Sequence, residues 1–218
     1  MDIITTQENC RVCNGFLSML MTYDNMPKAA QNLPDKRQIQ AGLDRGVNLE
    51  ICQCENCGLI QLNNEPVDYY KEVIRASAFS EDMKQFRISQ FDNFVKQYDL
   101  KNKRIIEVGT GRGEYLALMK QFVLNAHGIE YNKESVATCK KNDLNVVQGY
   151  IDRYDYKISN RPYDAFFILN FFEHIPEPNI MLKGLCNNLS DDAIGLVEVP
   201  NFDMILRQNL YSEFIGDH

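Results

Sequence analysis

Residues 104–119 read RIIEVGTGRGEYLALM, and the order of those residues decides the fold. Arg104–Val108 is a short apolar run with the length of a buried strand. Gly109-Thr110-Gly111-Arg112-Gly113 then interrupts both strand and helix. From Glu114, Tyr115, Leu116, Leu118, Met119 and Phe122 recur at helical spacing, which predicts a helix over 114–124. A strand, a glycine turn and a helix in that order open a parallel α/β sheet. Such a turn delivers a ligand to the carboxyl edge of the sheet.

The same alternation continues downstream. Ala126–Glu130 reads as a second strand and 132–142 as a second helix. Val146–Gln148 is a weak third strand, and Tyr163–Leu169 (YDAFFIL) is a strongly apolar fourth. A helix over 177–189 and a fifth strand, Ile194–Val199, follow. Alternating strands and helices predict an α/β fold, a Rossmann-like parallel sheet with helices on both faces.

The glycine loop admits two ligands. In the dinucleotide fingerprint G-x-G-x-x-G, Gly109 and Gly111 fit, but the third glycine position holds Glu114. A pyrophosphate would also meet Glu107 and Glu114. The alternative E-x-G-x-G-x-G pattern, Glu107 to Gly113, suits a cofactor with positive charge and no phosphate. S-adenosylmethionine is such a cofactor: its ammonium and sulfonium tolerate carboxylates, and the glycines let the backbone approach. Thr110 and Gly113 belong to the same loop. Glu130 lies 23 residues beyond Glu107, at the end of the second strand, where a carboxylate can accept both ribose hydroxyls. Tyr131 follows it. Tyr150 and Ile151, after the third strand, are placed beside the adenine.

Cysteine spacing defines a separate module. Cys10-x2-Cys13 and Cys54-x2-Cys57 are two knuckles with 40 residues between them. Two such knuckles complete a closed four-thiolate site, the chemistry of structural zinc. Cys52 could stand in for Cys54, but the two-residue gap favours Cys54 and Cys57 as the second pair. Seven cysteines, an odd number, and an N-terminus without a basic and apolar leader argue against a disulfide framework and point to the cytoplasm.

Between module and sheet, 68–99 reads as helical. Ser80 is a good N-cap, with Glu81 and Asp82 in the first turn. Met83, Phe86, Ile88, Phe91, Phe94, Val95 and Tyr98 form an aromatic and aliphatic stripe suited to core packing. The expected organisation is a zinc module over 1–66, a helical connector and cofactor lid over 67–100, and a cofactor-binding domain over 101–218.

The balance of 23 basic against 30 acidic residues, a net charge of −7, disfavours nucleic acid as partner. The absence of any run of about 18 apolar residues argues against a membrane span. A small molecule is the expected substrate.

Together these stretches resemble S-adenosylmethionine-dependent class I methyltransferases with an N-terminal zinc-binding domain. Known members are C-methyltransferases of nucleotide-linked keto-deoxysugars. The resemblance rests on Cys10/Cys13, CENCGLIQL with Cys54/Cys57, EVGTGRG, Glu130, NFFEHI at Asn170–Ile175, VEVPN at Val197–Asn201 and the closing YSEFIGDH. It implies that Glu107, Gly109 and Gly111 cradle the methionine part of the cofactor and that Glu130 holds the ribose. Asn170 and Phe171 would lie where the fourth strand presents the methyl group, and Tyr70 and Ser77 would close over the cofactor. Glu173 and His174 match a family motif. His218, preceded by Asp217 where the family has Glu, matches the catalytic base that C-methylation requires next to a ketone.

The resemblance implies further strands after the fifth, so a sheet stopping there would leave an edge exposed. The expectation is therefore the first part of a longer sugar C-methyltransferase. A sugar or secondary-metabolite O-methyltransferase, an RNA methyltransferase with a zinc finger, and a non-catalytic cofactor-binding domain are the alternatives.

Overall fold

In the computed structural model, which describes residues 9–27, 35–42, 46–67, 70–72 and 80–210, the chain divides into two units. Among the described residues, the first unit takes 9–27, 35–42, 46–67 and 70–72 together with 173–178 and 200–210. The second takes 80–172 and 179–199.

The first unit is built on an antiparallel meander, β1 (Leu17–Met26), β2 (Val47–Cys54) and β3 (Ile60–Leu62). A short helix, α1 (Lys36–Gln40), starts at Asp35, whose carboxylate accepts from the Arg37 and Gln38 amides while the Asp35 amide donates to Gln38 Oε1. This reciprocal cap satisfies otherwise orphaned helix-start donors. Leu49 and Ile51 alternate inward along β2 and meet Ile205 from the distant helix Phe202–Gln208, packed with Met21, Tyr23 and Phe202. The apolar side of that helix packs into the meander's core.

The second unit opens with α2 (Glu81–Gln97), started by Ser80, whose hydroxyl accepts from the Met83 amide. Of the predicted stripe, Phe91, Phe94 and Val95 are buried, but Phe86 is 53% and Tyr98 42% exposed. The helical reading of 68–99 shortens: Tyr70–Glu72 is a 3-10 turn in the first unit and α2 begins only after Ser80. There follow β4 (Arg104–Val108), α3 (Glu114–Met119), β5 (Asn125–Glu130), α4 (Lys133–Lys141), β6 (Asn145–Gln148), β7 (Tyr163–Leu169), α5 (Pro178–Cys186) and β8 (Leu189–Glu198). Phe202–Gln208, already described, is α6.

The five parallel strands run in the order β6-β5-β4-β7-β8. This is the Rossmann-like α/β fold expected from the alternation. The order reverses beside β4, the strand that leads into the glycine loop, and such a switch point opens a crevice at the carboxyl edge. Ile105 and Ile106 point to opposite faces of β4 and both are 0% exposed, so both faces are covered. Phe91, Leu116, Met119, Val136 and Phe167 share one core. No described helix is long and apolar enough to cross a membrane.

Asn188 closes the amino-terminal side of this sheet. It is 1% exposed; its Oδ1 accepts from the Ile158 amide at 2.7 Å, and its Nδ2 serves the Tyr156 and Gly184 carbonyls, each at 2.7 Å. Asn188→Leu would strand these main-chain groups, each costing about 1–3 kcal/mol when buried and unpaired. We expect a loss of about 3 kcal/mol in urea unfolding. A change below about 1 kcal/mol, the net worth of one ordinary hydrogen bond, would contradict the assignment.

Candidate functional site

The first unit gathers four thiols. Cys10 and Cys13 flank one turn, and Cys54 and Cys57 flank another at the end of β2. Both turns close alike: the Asn14 amide donates to the Cys10 carbonyl, and the Gly58 amide to that of Cys54. Both also end in a left-handed residue, Asn14 at φ 59° and Gly58 at φ 76°. The four Sγ atoms lie within 4.8 Å of one another, with Cys10–Cys57 at 3.6 Å and Cys13–Cys54 at 3.4 Å. A zinc tetrahedron with bonds of about 2.3 Å has sulfur–sulfur edges of about 3.8 Å, so the spacing fits.

The turns also stabilise negative sulfur. The Val12 amide points to Cys10 Sγ at 3.4 Å and the Cys57 amide to Cys54 Sγ at 3.5 Å. The Asn56 side-chain amide, with the Gly15 backbone and Cys54 behind it, draws the Cys13 thiol down to about 6. Gly15 leaves room for this approach: a Cβ there would lie 2.9 Å from Asn56 Cβ, 3.2 Å from Cys54 Sγ and 3.3 Å from Cys13 Sγ. Cys52 stands apart, buried and directed to the Met19 sulfur at 3.9 Å, and burial pushes its thiol up. The four-cysteine cluster is therefore the Cys10, Cys13, Cys54, Cys57 set, compatible with zinc.

Arg11, inside the first knuckle, donates to the carbonyls of Asn64 at 3.0 Å and of Leu62 and Pro176 at 3.4 Å. It ties to the knuckle the segment that follows the 3-10 turn Phe172–His174. His174 and Tyr70 both sit in such 3-10 turns and both are partly buried. Ser77, Asp217 and His218 lie outside the described residues.

The second unit places the other expected residues at the carboxyl ends of four strands. Glu107 and Val108 end β4, Glu130 ends β5, Tyr150 and Ile151 follow β6, and Asn170 and Phe171 follow β7. Gly109, Gly111 and Gly113 have φ of 75°, 58° and 90°, the left-handed region that glycine enters without steric cost. Their loop curls over β5: the Gly109 and Thr110 amides donate to the Ile129 carbonyl at 3.0 and 3.2 Å. The Thr110 side chain is buried, its hydroxyl against the Glu107 and Ile129 carbonyls, and it packs where a Cβ on Gly128 would fall.

Glu130 is fixed from two sides. Its Oε2 accepts from the Gly111 amide at 2.7 Å and its Oε1 from the Asn132 amide at 2.8 Å. These two bonds hold the carboxylate at the end of β5, beside the glycine loop. Glu107 is 0% exposed. Cys139 lies beneath the loop, its thiol toward the Gly111 carbonyl at 3.4 Å, and burial, aided by Glu107 and Glu130, pushes it up to about 12. It is thus a neutral packing residue. The Tyr131 and Tyr150 rings meet edge to face at 6.1 Å between centroids.

These elements enclose an apolar cleft lined by Gly109, Ile129, Tyr150, Ile151, Phe171 and Met181. Met181, from α5, carried no signal in the sequence, because an apolar residue on an amphipathic helix reads as core. The arrangement sets a left-handed glycine loop and a carboxylate beside an apolar slot.

A methyltransferase domain family model matches residues 79–218. The chain belongs to that family. As a methyltransferase domain it is 22% identical, over 225 residues and all of its length, to the C-methyltransferase NovU of Streptomyces niveus. It covers 53% of NovU, so it spans about half the length of this curated relative. Among solved structures, the plantazolicin methyltransferase BpumL, in complex with SAH and a pentazolic desmethylPZN analog, superposes with a TM-score of 0.51 at 20% identity. That superposition covers 61% of this chain and 57% of BpumL. The same enzyme with a monoazolic analog gives a TM-score of 0.50, also at 20% identity, covering 61% and 54% of the two chains. These likenesses show a methyltransferase fold over 61% of the chain.

Proposed function

We propose that the second unit binds S-adenosylmethionine and that the protein transfers its methyl group to a small molecule. The observation that carries this reading is the Gly111–Glu130 contact, which joins a left-handed glycine loop to a carboxylate beside an apolar cleft. Glu130 would accept the ribose hydroxyls, and Tyr131, Tyr150 and Ile151 would flank the adenine. Glu107 and the Gly109–Gly113 backbone would receive the methionine part, whose positive charge a buried carboxylate favours. Asn170 and Phe171 would border the methyl group. The solved relative BpumL, crystallised with SAH, supports the choice of cofactor.

The four thiolates of Cys10, Cys13, Cys54 and Cys57 would hold zinc in a closed structural site with no position left for substrate. The finer reading is C-methylation of a nucleotide-linked sugar, supported by the likeness, over about half of that relative's length, to the C-methyltransferase NovU. The bound cofactor supplies an electrophilic methyl on a sulfonium. A base, His174 or the Asp217–His218 pair, would take the proton next to a ketone, leaving an enolate carbon as nucleophile. The chain's main contribution is orientation, holding acceptor and methyl in line. Tyr70 and Ser77 would close over the cofactor.

Glu130→Ala tests the ribose assignment. Losing hydrogen bonds to a charged acceptor, worth about 1.5–3 kcal/mol each, should weaken S-adenosylmethionine binding about 10- to 100-fold by calorimetry. Unchanged affinity would remove Glu130 from the site and with it the proposed cofactor pose.

A further inference from the structure

Arg87 is out of place on the inner face of α2. It is 1% exposed, in a row with Phe91, Phe94 and Val95, where an aliphatic side chain would pack at no electrostatic cost. Its guanidinium is spoken for on two sides. Nη1 donates to Glu198 Oε2 at 2.6 Å and to Gln90 Oε1 at 2.7 Å, and Nη2 donates to Glu198 Oε1. Its Cζ stands 4.9 Å from the centroid of the Tyr115 ring.

Two of these partners, Tyr115 and Glu198, lie on elements that adjoin residues lining the cleft. Tyr115 is the second residue of α3, the helix that the glycine loop opens. Glu198 ends β8, and its main-chain carbonyl accepts the Asn170 amide at 3.3 Å. Asn170 holds φ 51°, a conformation costly for a residue with a side chain. The turn it makes lays Phe171 over Gly109, so closely that a Cβ on Gly109 would lie 2.4 Å from the ring.

We infer that Arg87 is a positioning residue for the cofactor cleft: its bidentate grip on Glu198 and its stacking on Tyr115 fix the Asn170–Phe171 turn against the glycine loop. The planar fork of arginine sets both directions at once, which the point charge of lysine cannot. Arg87 does not line the cleft itself. The inference rests on the proposed S-adenosylmethionine site, and it makes α2 part of that site's geometry.

Arg87→Lys, Glu198→Gln and the double variant of the full chain test it. Affinity for S-adenosylhomocysteine is measured by calorimetry at about 15 °C, near the usual maximum of stability. Exchange of the Asn170 amide is followed by NMR on the same samples. Each single variant should bind about tenfold more weakly, the double no worse than the weaker single, because one contact is lost in all three. Asn170 exchange should speed up about tenfold. Variants that melt earlier yet bind like wild type, with Asn170 exchange unchanged, would make the pair merely structural and overturn the inference. Should the parent chain bind no S-adenosylhomocysteine, the cofactor reading fails separately, and Asn170 exchange alone decides the role of Arg87. If Arg87→Lys does not fold, Glu198→Gln carries both measurements.

Discussion

Cys54→Ser is expected to empty the metal site and unfold the first unit while the second keeps its fold. Cys54 is 1% exposed, and its sulfur lies 3.4 Å from Cys13 and accepts the Cys57 amide. A serine hydroxyl stays protonated near neutral pH and cannot replace a thiolate ligand. Among the described residues, its apolar cluster has three buried aliphatic members, Leu49, Ile51 and Ile205. Units this small need a staple, and structural zinc contributes about 10–16 kcal/mol of apparent binding energy in peptides that fold around it. Zinc content should fall from about one per chain to near none. Amide protection in β1, β2 and β3 should be lost, with that of β4 and β5 retained. A variant without zinc that keeps protected amides in β2 would contradict the structural role of the metal.

Gly109→Ala should abolish measurable cofactor binding. Two costs coincide at this position. The backbone φ of 75° puts a Cβ against the following carbonyl, about 1–2 kcal/mol, and that Cβ would lie 2.4 Å from the Phe171 ring. The ring cannot stay, and it lines the cleft. We expect S-adenosylmethionine affinity to fall at least about 100-fold, with Tm lower by about 4–8 °C for a loss near 2 kcal/mol. Gly42 is the matched control, with φ 70° and no atom within 4 Å of an added Cβ. Gly42→Ala should cost only the backbone penalty and leave binding unchanged. Affinity in Gly109→Ala within threefold of the parent would show that Phe171 and the loop do not border the ligand.

What could be read from the sequence was local. The strand–glycine–helix order around Gly109 depends on neighbouring residues, and β4 and the loop form there as expected, while α3 stops at Met119 instead of running to 124. The two knuckles are set by two-residue gaps, and the pairing of Cys54 rather than Cys52 with Cys57 follows from the same turn. The place of Glu130 at the end of β5 was legible because a strand end is a fixed address in this fold. What was illegible depends on contacts between distant segments. The stripe on α2 wrongly counted Phe86 and Tyr98 as core, since a helix buries only one strip, and Arg87 takes a place on it. An arginine reads as solvent-facing until Glu198, 111 residues away, is known to meet it. The left-handed turn at Asn170 is imposed by the end of β8. The packing of Ile205 beneath β2 joins residues more than 150 apart, beyond the reach of periodicity.

The central claim is that the glycine loop, Glu130 and the cleft beside Phe171 form an S-adenosylmethionine site. Equilibrium dialysis of the zinc-loaded chain against radiolabelled S-adenosylmethionine tests it without assuming an acceptor. We predict one site per chain, a dissociation constant of about 1–100 μM within the usual range for enzyme ligands, and displacement by S-adenosylhomocysteine but not by NAD. No retained label at about 1 mM ligand, or displacement by NAD instead, would contradict the account.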